Sequence, residues 1–290
     1  GVHPQCEGFT TLAEWDFTTN TISPLLMNEP YVRLYPAQVL KQADLVLAMH
    51  WQSHAFTPEQ KARNVDYYER RTTRDSSLSA CTQAVMCAEV GHLELAHDYT
   101  YEAAMIDLRD LHNNTRDGLH MASLAGAWTA LVAGFGGLRD DEGILSLDPH
   151  LPDGISRLRF RLRWKEFRLT VEANHAEVTY TLRDGSSATL AIRHAGERLT
   201  LNTRTPTTAG LTGSIGSRRS AAGAPAGTTG CSGAIGASRR YGSPCAGRWS
   251  CWPLLGHSDA ARSAWAVIES DGLTPRFADI AAPSMTYSVG

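Results

Sequence analysis

The sequence predicts an α+β fold in which a layer of helices precedes a small antiparallel sheet. Through roughly the first half of the chain, apolar residues recur at helical spacing between clear start and stop signals. From Leu158 onward they alternate at every second position. After Asn202, glycine, serine, alanine, threonine and arginine dominate. We therefore divide the chain into a helical part (residues 1–142), a β part (residues 143–202) and a tail (residues 203–290).

Charge and cysteine content limit the compartment and the partners. The chain has 290 residues and a net charge of −3, which gives no electrostatic basis for binding nucleic acid or an anionic membrane. No apolar run is long enough to span a membrane. The six cysteines form no CxxC pair, and Cys81 and Cys87 lie in a helical pattern as buried free thiols. We expect a cytoplasmic protein without a metal site, and the lack of Met at Gly1 indicates a fragment.

The first helix is predicted to begin near Leu34, after an irregular stretch (residues 1–32). Its side chains are apolar nearly all round as far as Met49, which is usual for a helix buried between others. Lys41 and Gln42 interrupt this apolar surface, and a buried polar pair is costly unless other groups satisfy it. The alternative is a partly exposed helix start, with the lysine stem lying along the surface.

Further helices follow at short intervals. Thr57 as the cap, proline at the first helical position and Gln60 three residues after the cap form a capping box. That helix is expected to run through Tyr68. The next ends at Gly91, and another spans about residues 93–108.

The segment between the first two of these helices, residues 70–79, has the composition of an anion site. It contains three arginines, three serines, two threonines and one aspartate, directly before a helix. Helix N-termini bind phosphate because their first N–H groups lack internal partners and the helix dipole favours negative charge. The alternative is that Asp75 or Ser76 only caps the helix. Arg71 and Arg74 either steer an anion or pair with neighbouring carboxylates.

A polar turn, residues 113–118, leads to His120 at the start of another helix. That helix extends to Gly134, and its small residues allow close approach to its neighbours. A histidine in this position could donate a hydrogen bond to an oxyanion whether neutral or protonated. The alternative is a histidine with a purely structural role.

The β part and the tail differ sharply in pattern. Alternating segments between about Ile144 and Leu201 predict an antiparallel sheet with one apolar and one charged face. The composition of the tail is typical of disorder. A slipped reading frame that produces non-native residues is the alternative, motivated by the abrupt change.

Seven short motifs, taken in order, resemble those of glycoside hydrolase family 65, which contains maltose, trehalose and kojibiose phosphorylases and hydrolytic relatives. The resemblance covers about residues 1–200. The motifs are Lys41-Gln42-Ala43-Asp44, Tyr67-Tyr68-Glu69, Thr73-Arg74-Asp75-Ser76-Ser77-Leu78-Ser79, Gly118-Leu119-His120-Met121-Ala122-Ser123, Gly126-Ala127-Trp128, Gly134-Phe135-Gly136-Gly137 and Pro149-His150-Leu151-Pro152.

This resemblance implies that the helices are the last part of an (α/α)6 catalytic barrel and that the strands form the family's small β domain. It also implies that Lys41 and Gln42 bind glucose hydroxyls, while Ser76, Ser77 and His120 hold phosphate. The general-acid glutamate of the family is expected upstream of Gly1, so no catalytic acid is assigned here.

The expected activity is inverting phosphorolysis of an α-linked glucose disaccharide, such as trehalose or maltose, to β-glucose 1-phosphate. Inorganic phosphate would be a co-substrate, and no cofactor is expected. Because phosphate is already an anion, it needs a cradle of donors where a hydrolase needs a second carboxylate. The alternatives are a trehalase-like hydrolase and a fragment that is inactive because it lacks the acid. A homodimer of the full-length protein is a further expectation.

Overall fold

The computed structural model describes residues 1–20, 22, 24–183 and 189–211, together with the backbone of residues 265–269. Seven helices lie in this part of the chain. They are α1 (Leu25–Asn28), α2 (Tyr31–Leu34), α3 (Asp44–Trp51), α4 (Pro58–Glu69), α5 (Ser79–Glu89), α6 (Leu93–Met105) and α7 (Met121–Thr129). A π-helical segment, Ala130–Phe135, continues α7. Among these helices, none combines the length and the apolar character that crossing a membrane requires.

The strands of the described residues form three small sheets. They are β1 (Ala13–Glu14), β2 (Ala37–Gln38), β3 (Ser146–Leu147), β4 (Arg157–Trp164), β5 (Phe167–Ala173), β6 (Glu177–Arg183), β7 (Thr189–His194), β8 (Glu197–Asn202), β9 (Thr207–Gly210) and β10 (Trp265–Glu269). Strands β1 and β2 pair in parallel. The largest sheet has the order β10-β4-β5-β6-β9, and the third has the order β3-β7-β8. Helices followed by mostly antiparallel strands confirm the α+β class, whereas the (α/α)6 barrel stays a prediction.

The helix predicted to start near Leu34 is wrong as a single element. The chain leaves α2, enters β2 beside β1, and pairs Leu40 with Thr72 before α3 begins at Asp44. Proline at position 36 has no N–H to donate, so the hydrogen-bond pattern of a helix cannot continue through it. The long-range backbone pairs then take the hydrogen bonds that a continuous helix would have used.

Helix α4 confirms the sequence prediction in detail. The Thr57 hydroxyl accepts from the Gln60 backbone N–H at 3.3 Å, and the Gln60 side chain accepts from the Thr57 N–H at 2.8 Å. Helix α5 ends near Gly91, whose φ of +91° is a conformation that favours glycine. Tyr68 of α4 and Met86 of α5 are both fully buried and form part of the hydrophobic core.

Helices α5 and α7 run parallel in close contact. A Cβ atom on Gly126 would lie 2.5 Å from Cys81, and one on Gly134 would lie 3.4 Å from the Cα of Val85. Gly134, in the π-helical continuation of α7, lies after Gly126, and its contact Val85 lies after Cys81 in α5. The two helices therefore run in the same direction, and both N-termini lie at the same end of the helical layer. Helix α6 returns in the opposite direction, and the Ser123 hydroxyl donates to the carbonyl of Ala103 near its end at 3.3 Å.

The β part alternates as predicted, with a buried position at every second residue of β4, β5 and β6. The expectation of one antiparallel sheet needs correction, because β3, β7 and β8 form a separate sheet in which β3 and β7 are parallel. The sequence between β6 and β7, residues 184–188, reads Asp-Gly-Ser-Ser-Ala and gives no signal that one sheet ends and another begins.

Two strands lie beyond the predicted end of the β part at residue 202. Strand β9 pairs with β6, and the backbone of β10 pairs with β4. Both additions are edge strands, whose register depends on the strand they join more than on their own sequence pattern. The predicted tail otherwise falls on residues 212–264 and 270–290, which lie outside the described residues, as do three of the six cysteines.

Candidate functional site

The segment with Lys41 and Gln42 lies directly beside the segment of residues 70–79. The Leu40 N–H donates to the Arg71 carbonyl at 2.8 Å, and the Thr73 N–H donates to the Leu40 carbonyl at 2.7 Å. This short parallel pairing holds two loops together that are separated by about thirty residues in the sequence. The two predicted sub-sites, one for sugar and one for phosphate, therefore adjoin.

Side chains strengthen this junction. The Ser76 hydroxyl donates to the side-chain carbonyl of Gln42 at 2.9 Å, and the Ser79 hydroxyl donates to the backbone carbonyl of Lys41 at 3.2 Å. The Gln42 amide donates onward to Asp44 at 3.2 Å. Ser77 is half-buried, and its hydroxyl has no hydrogen-bond partner among the described residues. It is thus available to a ligand.

The prediction that Lys41 and Gln42 form a buried polar pair on a helix is wrong. Both lie in the loop before α3, where Lys41 is exposed and Gln42 is half-buried. The cause is the break at β2, which moves the start of the helix to Asp44. The Lys41 ammonium group is consequently free to reach a ligand in solvent.

Neither Asp75 nor Ser76 occupies the cap position of α5, although Ser76 binds N–H groups at the entry to this helix. The residue that precedes α5 is Leu78, and the helix N-terminus has no side-chain cap. Asp75 instead accepts from the N–H of Leu26 at 2.9 Å, and the Ser76 hydroxyl accepts from the Leu78 N–H at 3.3 Å. Ser76 thus satisfies the Leu78 N–H with its hydroxyl and the Ser79 N–H with its backbone carbonyl, whereas the later N–H groups in the first turn of α5 have no side-chain cap.

His120 lies at the same end of the helical layer as Ser77. It precedes α7 and lies six residues before Gly126, and Gly126 contacts Cys81 one turn after Ser77. Six residues correspond to about 9 Å of helix. Parallel α5 and α7 thus direct both N-termini toward one region, although no direct contact joins His120 to Ser76 or Ser77 in the described structure.

A polar network links the two N-termini. Arg74 pairs with Glu102 of α6 at 3.7 Å and lies over the Tyr99 ring at 5.2 Å. Burial raises the pKa of the Glu102 carboxyl, although Arg74 and His112 oppose this effect. The His112 ring in turn meets the His120 ring edge to face at 5.7 Å. The φ of Arg74 is +60°, an unusual backbone conformation for a residue other than glycine.

Arg71 has a different role from Arg74. Its guanidinium group binds the Glu14 carboxylate, donates to the Gln38 side chain at 2.6 Å and covers the Tyr67 ring at 3.8 Å. These contacts fix Arg71 against the β1–β2 pair. Of the two arginines, Arg74 is therefore the better candidate for steering an anion.

The described residues contain no group of three or more histidine, cysteine, aspartate or glutamate side chains placed to hold a metal ion. Among the described cysteines, Cys87 is buried as predicted, whereas Cys81 is half-buried and Cys6 is exposed; all three are free thiols.

Two family profiles match consecutive parts of the chain. The profile of the glycosyl hydrolase family 65 central catalytic domain matches residues 1–129, and that of the family 65 C-terminal domain matches residues 138–201. The chain belongs to glycosyl hydrolase family 65. The two matched ranges correspond to the helical layer and to the β part.

Relatives of this family 65 chain include enzymes named as phosphorylases. An uncharacterized glycosyl hydrolase of Mycobacterium leprae is 82% identical over 208 residues, which are 72% of this chain and 26% of that protein. The α,α-trehalose phosphorylase of Geobacillus stearothermophilus is 38% identical over 206 residues, which cover 69% of this chain and 26% of the relative. The chain therefore spans about a quarter of the length of these relatives.

A solved structure is similar to this family 65 chain as well. It is assigned as a kojibiose phosphorylase from the human microbiome, with 29% sequence identity and a TM-score of 0.66. The alignment covers 72% of this chain and 31% of the other.

Sequence reasoning missed the side chains that support the candidate site. Asp107, Glu102 and Tyr99 lie in or just after α6, which gave no motif signal. Asp107 accepts from the His120 ring, and Glu69 accepts from the Tyr99 hydroxyl. The separation of thirteen residues between this carboxylate and the histidine matches neither helix nor strand periodicity. Only the tertiary fold therefore reveals the pair.

Proposed function

We propose that this chain supplies the glucose-binding and phosphate-binding elements of an inverting α-glucoside phosphorylase. The substrate class is an α-linked glucose disaccharide, such as trehalose, kojibiose or maltose, and the product is β-glucose 1-phosphate. Inorganic phosphate is the co-substrate, and no other cofactor is proposed. The free thiols Cys81 and Cys87 support the reducing cytoplasm as the compartment.

The chemistry requires two groups on opposite faces of the sugar. A phosphate oxygen forms the new bond to the anomeric carbon while the bond to the leaving oxygen breaks. That leaving oxygen takes a proton from a general acid, for which we assign no residue in this chain. The phosphate needs donors that hold it in line for the attack, because correct positioning of two reactants can remove several kcal/mol from a barrier.

The observation that carries the proposal is the Gln42–Ser76 hydrogen bond of 2.9 Å. It joins the loop proposed to bind sugar to the loop proposed to bind phosphate. Next to it lie the free Ser77 hydroxyl and the N-terminus of α5, which has no side-chain cap. Uncapped N–H groups and a free hydroxyl are suitable donors for an anion.

The proposed roles follow from this placement. Ser77 and His120 donate to phosphate, Ser76 does so when its single O–H turns from Gln42 to the bound anion, and Arg74 contributes positive charge beside them. Gln42 and the exposed Lys41 donate to glucose hydroxyls. Lys41 needs no partner to remain stable in solvent, so its ammonium group can turn toward a bound sugar.

A hydrolase acting on the same disaccharides is the second candidate function, since relatives include proteins named only as glycosyl hydrolases. A hydrolase needs a carboxylate that activates water. In the described loop, the Asp75 carboxylate accepts from the Leu26 N–H, so one of its oxygens is already occupied by a structural hydrogen bond. This favours phosphate as the nucleophile.

Titration of the full chain with inorganic phosphate, followed calorimetrically, tests the proposal. We expect Ser76→Ala/Ser77→Ala to weaken phosphate binding by at least about tenfold, the effect of losing one or two hydrogen bonds to a charged group. Ser146→Ala, which removes a hydroxyl from β3, should leave the affinity unchanged. Equal affinity in all three proteins would refute phosphate binding at this loop and favour the hydrolase.

An activity assay separates this proposal from that of an inactive fragment. We expect the chain alone to release no glucose 1-phosphate, because the general acid is not assigned within it. Phosphate-dependent release above that of a Lys41→Ala/Ser76→Ala control would show that the acid lies within these 290 residues.

A further inference from the structure

Asp107 holds His120 through two hydrogen bonds. Its Oδ2 atom accepts from the His120 backbone N–H at 2.8 Å, and its Oδ1 atom lies 2.6 Å from the ring Nδ1 atom. The Asp107 side chain is 6% exposed and that of His120 is 17% exposed. Both the position and the plane of the ring are thus fixed at the start of α7.

This contact determines which ring nitrogen carries the proton. An ionised carboxylate can only accept hydrogen bonds, so Nδ1 must be the donor. In the neutral ring the other nitrogen, Nε2, then has no proton and can only accept. Nε2 becomes a donor only when the ring is protonated. The expectation that His120 can donate to an oxyanion in either state is therefore wrong for this structure.

Ionisable groups outside α7 also face the His120 ring. His112 meets it edge to face at 5.7 Å, and Glu102, whose pKa is raised by burial against the lowering effect of His112, pairs with Arg74. In the described part of the chain, Asp107 faces the ring through a hydrogen bond and His112 through the edge-to-face ring contact.

We propose that Asp107 is a positioning residue that makes phosphate binding at His120 depend on protonation of the imidazole ring. This inference rests on the proposed function. With the ring protonated, the Nε2–H group donates to a phosphate oxygen in a charge-assisted bond. With the ring neutral, the bond can form only in reverse, when a phosphate hydroxyl donates to Nε2. The charge assistance is then lost, and charge-assisted bonds are about twice as strong as neutral ones.

The tautomer of His120 can be measured directly in the full chain by ¹⁵N NMR of the ring nitrogens. We expect the neutral wild-type ring to carry its proton on Nδ1. In Asp107→Asn, the amide oxygen can accept from the backbone N–H while the amide NH₂ donates to Nδ1, so the proton should move to Nε2. His112→Gln, which leaves the Asp107 carboxylate in place, should retain the wild-type tautomer of His120. A proton on Nε2 in the neutral wild-type ring would overturn the inference, whether or not the variants fold.

Phosphate titrations between pH 5 and pH 8, where histidines change charge, test the consequence. Followed at the His120 ring, the wild-type affinity should fall roughly tenfold relative to that of Asp107→Asn across this range, a ratio from which the ionisation of phosphate itself cancels. Equal pH dependence in the two proteins would overturn the inference. If His120 has the expected tautomer but does not respond to phosphate at any pH, its proposed phosphate contact is refuted. The role of Asp107 is refuted separately, by the wrong tautomer in the NMR measurement.

Discussion

The Ser76 hydroxyl donates to the Gln42 side-chain carbonyl at 2.9 Å, across thirty-four positions of sequence. This bond connects the two loops that carry the proposed sugar-binding and phosphate-binding side chains. Movement of one loop is therefore transmitted to the other. Such coupling suits a reaction in which phosphate must lie in line with the anomeric carbon of the sugar.

The coupling of these two loops can be measured with a double-mutant cycle. Gln42→Ala and Ser76→Ala should together destabilise the chain by less than the sum of their separate effects, with a coupling energy of about 0.5–1.5 kcal/mol. Urea denaturation gives the free energies of unfolding of the four proteins in the cycle, which are the wild type, the two single variants and the double variant. The pair Gln42→Ala and Ser146→Ala, which share no contact, should be additive. Additivity in both cycles would show that the bond is not maintained in solution.

Gly126→Ala should destabilise the contact between α5 and α7. The added Cβ would lie 2.5 Å from the Cβ and Sγ atoms of Cys81, so the helices must separate. We expect a loss of about 1–3 kcal/mol from overpacking, despite the better helix propensity of alanine. Thermal denaturation measures this change.

Gly210→Ala is the matched control for this substitution. Its added Cβ meets nothing within 4 Å, so we expect a change within about 0.5 kcal/mol. If the two alanine variants are equally stable, the close approach of α5 and α7 is incorrect. Because this packing aligns the two helix N-termini, Gly126→Ala should also weaken phosphate binding.

Glu89 neutralises two buried cations. Its carboxylate lies 2.5 Å from the Lys61 ammonium group and 2.6 Å from the Arg139 guanidinium group. Burial alone would raise the pKa of Glu89, but Arg139 and Lys61 hold it below its usual value. A lowered folded-state pKa contributes stability that is complete above the unfolded pKa and is lost as the pH falls through the folded value.

Glu89→Gln should therefore destabilise the chain by about 3 kcal/mol at neutral pH, because it leaves two cations without their carboxylate. In the wild type, the free energy of unfolding should decline as the pH falls below about 4.5. This decline should be smaller in the variant. Urea denaturation across the acid range measures both effects. Glu177→Gln, on an exposed strand position, should behave like the wild type. A small effect at Glu89 would contradict the buried cluster.

His50 should make the free energy of unfolding depend on pH over a higher pH range than Glu89 does. Burial, with a further contribution from Arg139, lowers the pKa of its ring from 6.5 to about 4. Between these values the unfolded chain binds more protons than the folded chain, so stability falls as the pH decreases from 6.5 to 4. The slope is at most about 1.4 kcal/mol per pH unit.

His50→Gln should remove this slope from denaturation curves recorded between pH 4 and 6.5. His175→Gln, which replaces an exposed histidine in a turn, should retain it. An unchanged slope in His50→Gln would mean that the ring is protonated in the folded state and that its buried environment differs from the one described.

The sequence by itself determined the elements whose causes are local. The capping box at Thr57, the alternation in β4 to β6 and the family motifs each depend on residues close together in the chain. They were sufficient for the α+β class, the family and the identity of the candidate site residues.

Only the tertiary structure decided how those residues are arranged. The exposure of Lys41 depends on pairing of β2 with β1, and the protonated nitrogen of His120 depends on Asp107. Both effects arise from contacts between residues that are distant in the sequence and share no repeating pattern. A hydrogen bond between distant residues fixes a conformation or a proton only when folding brings its partners together, so no local pattern could have predicted either.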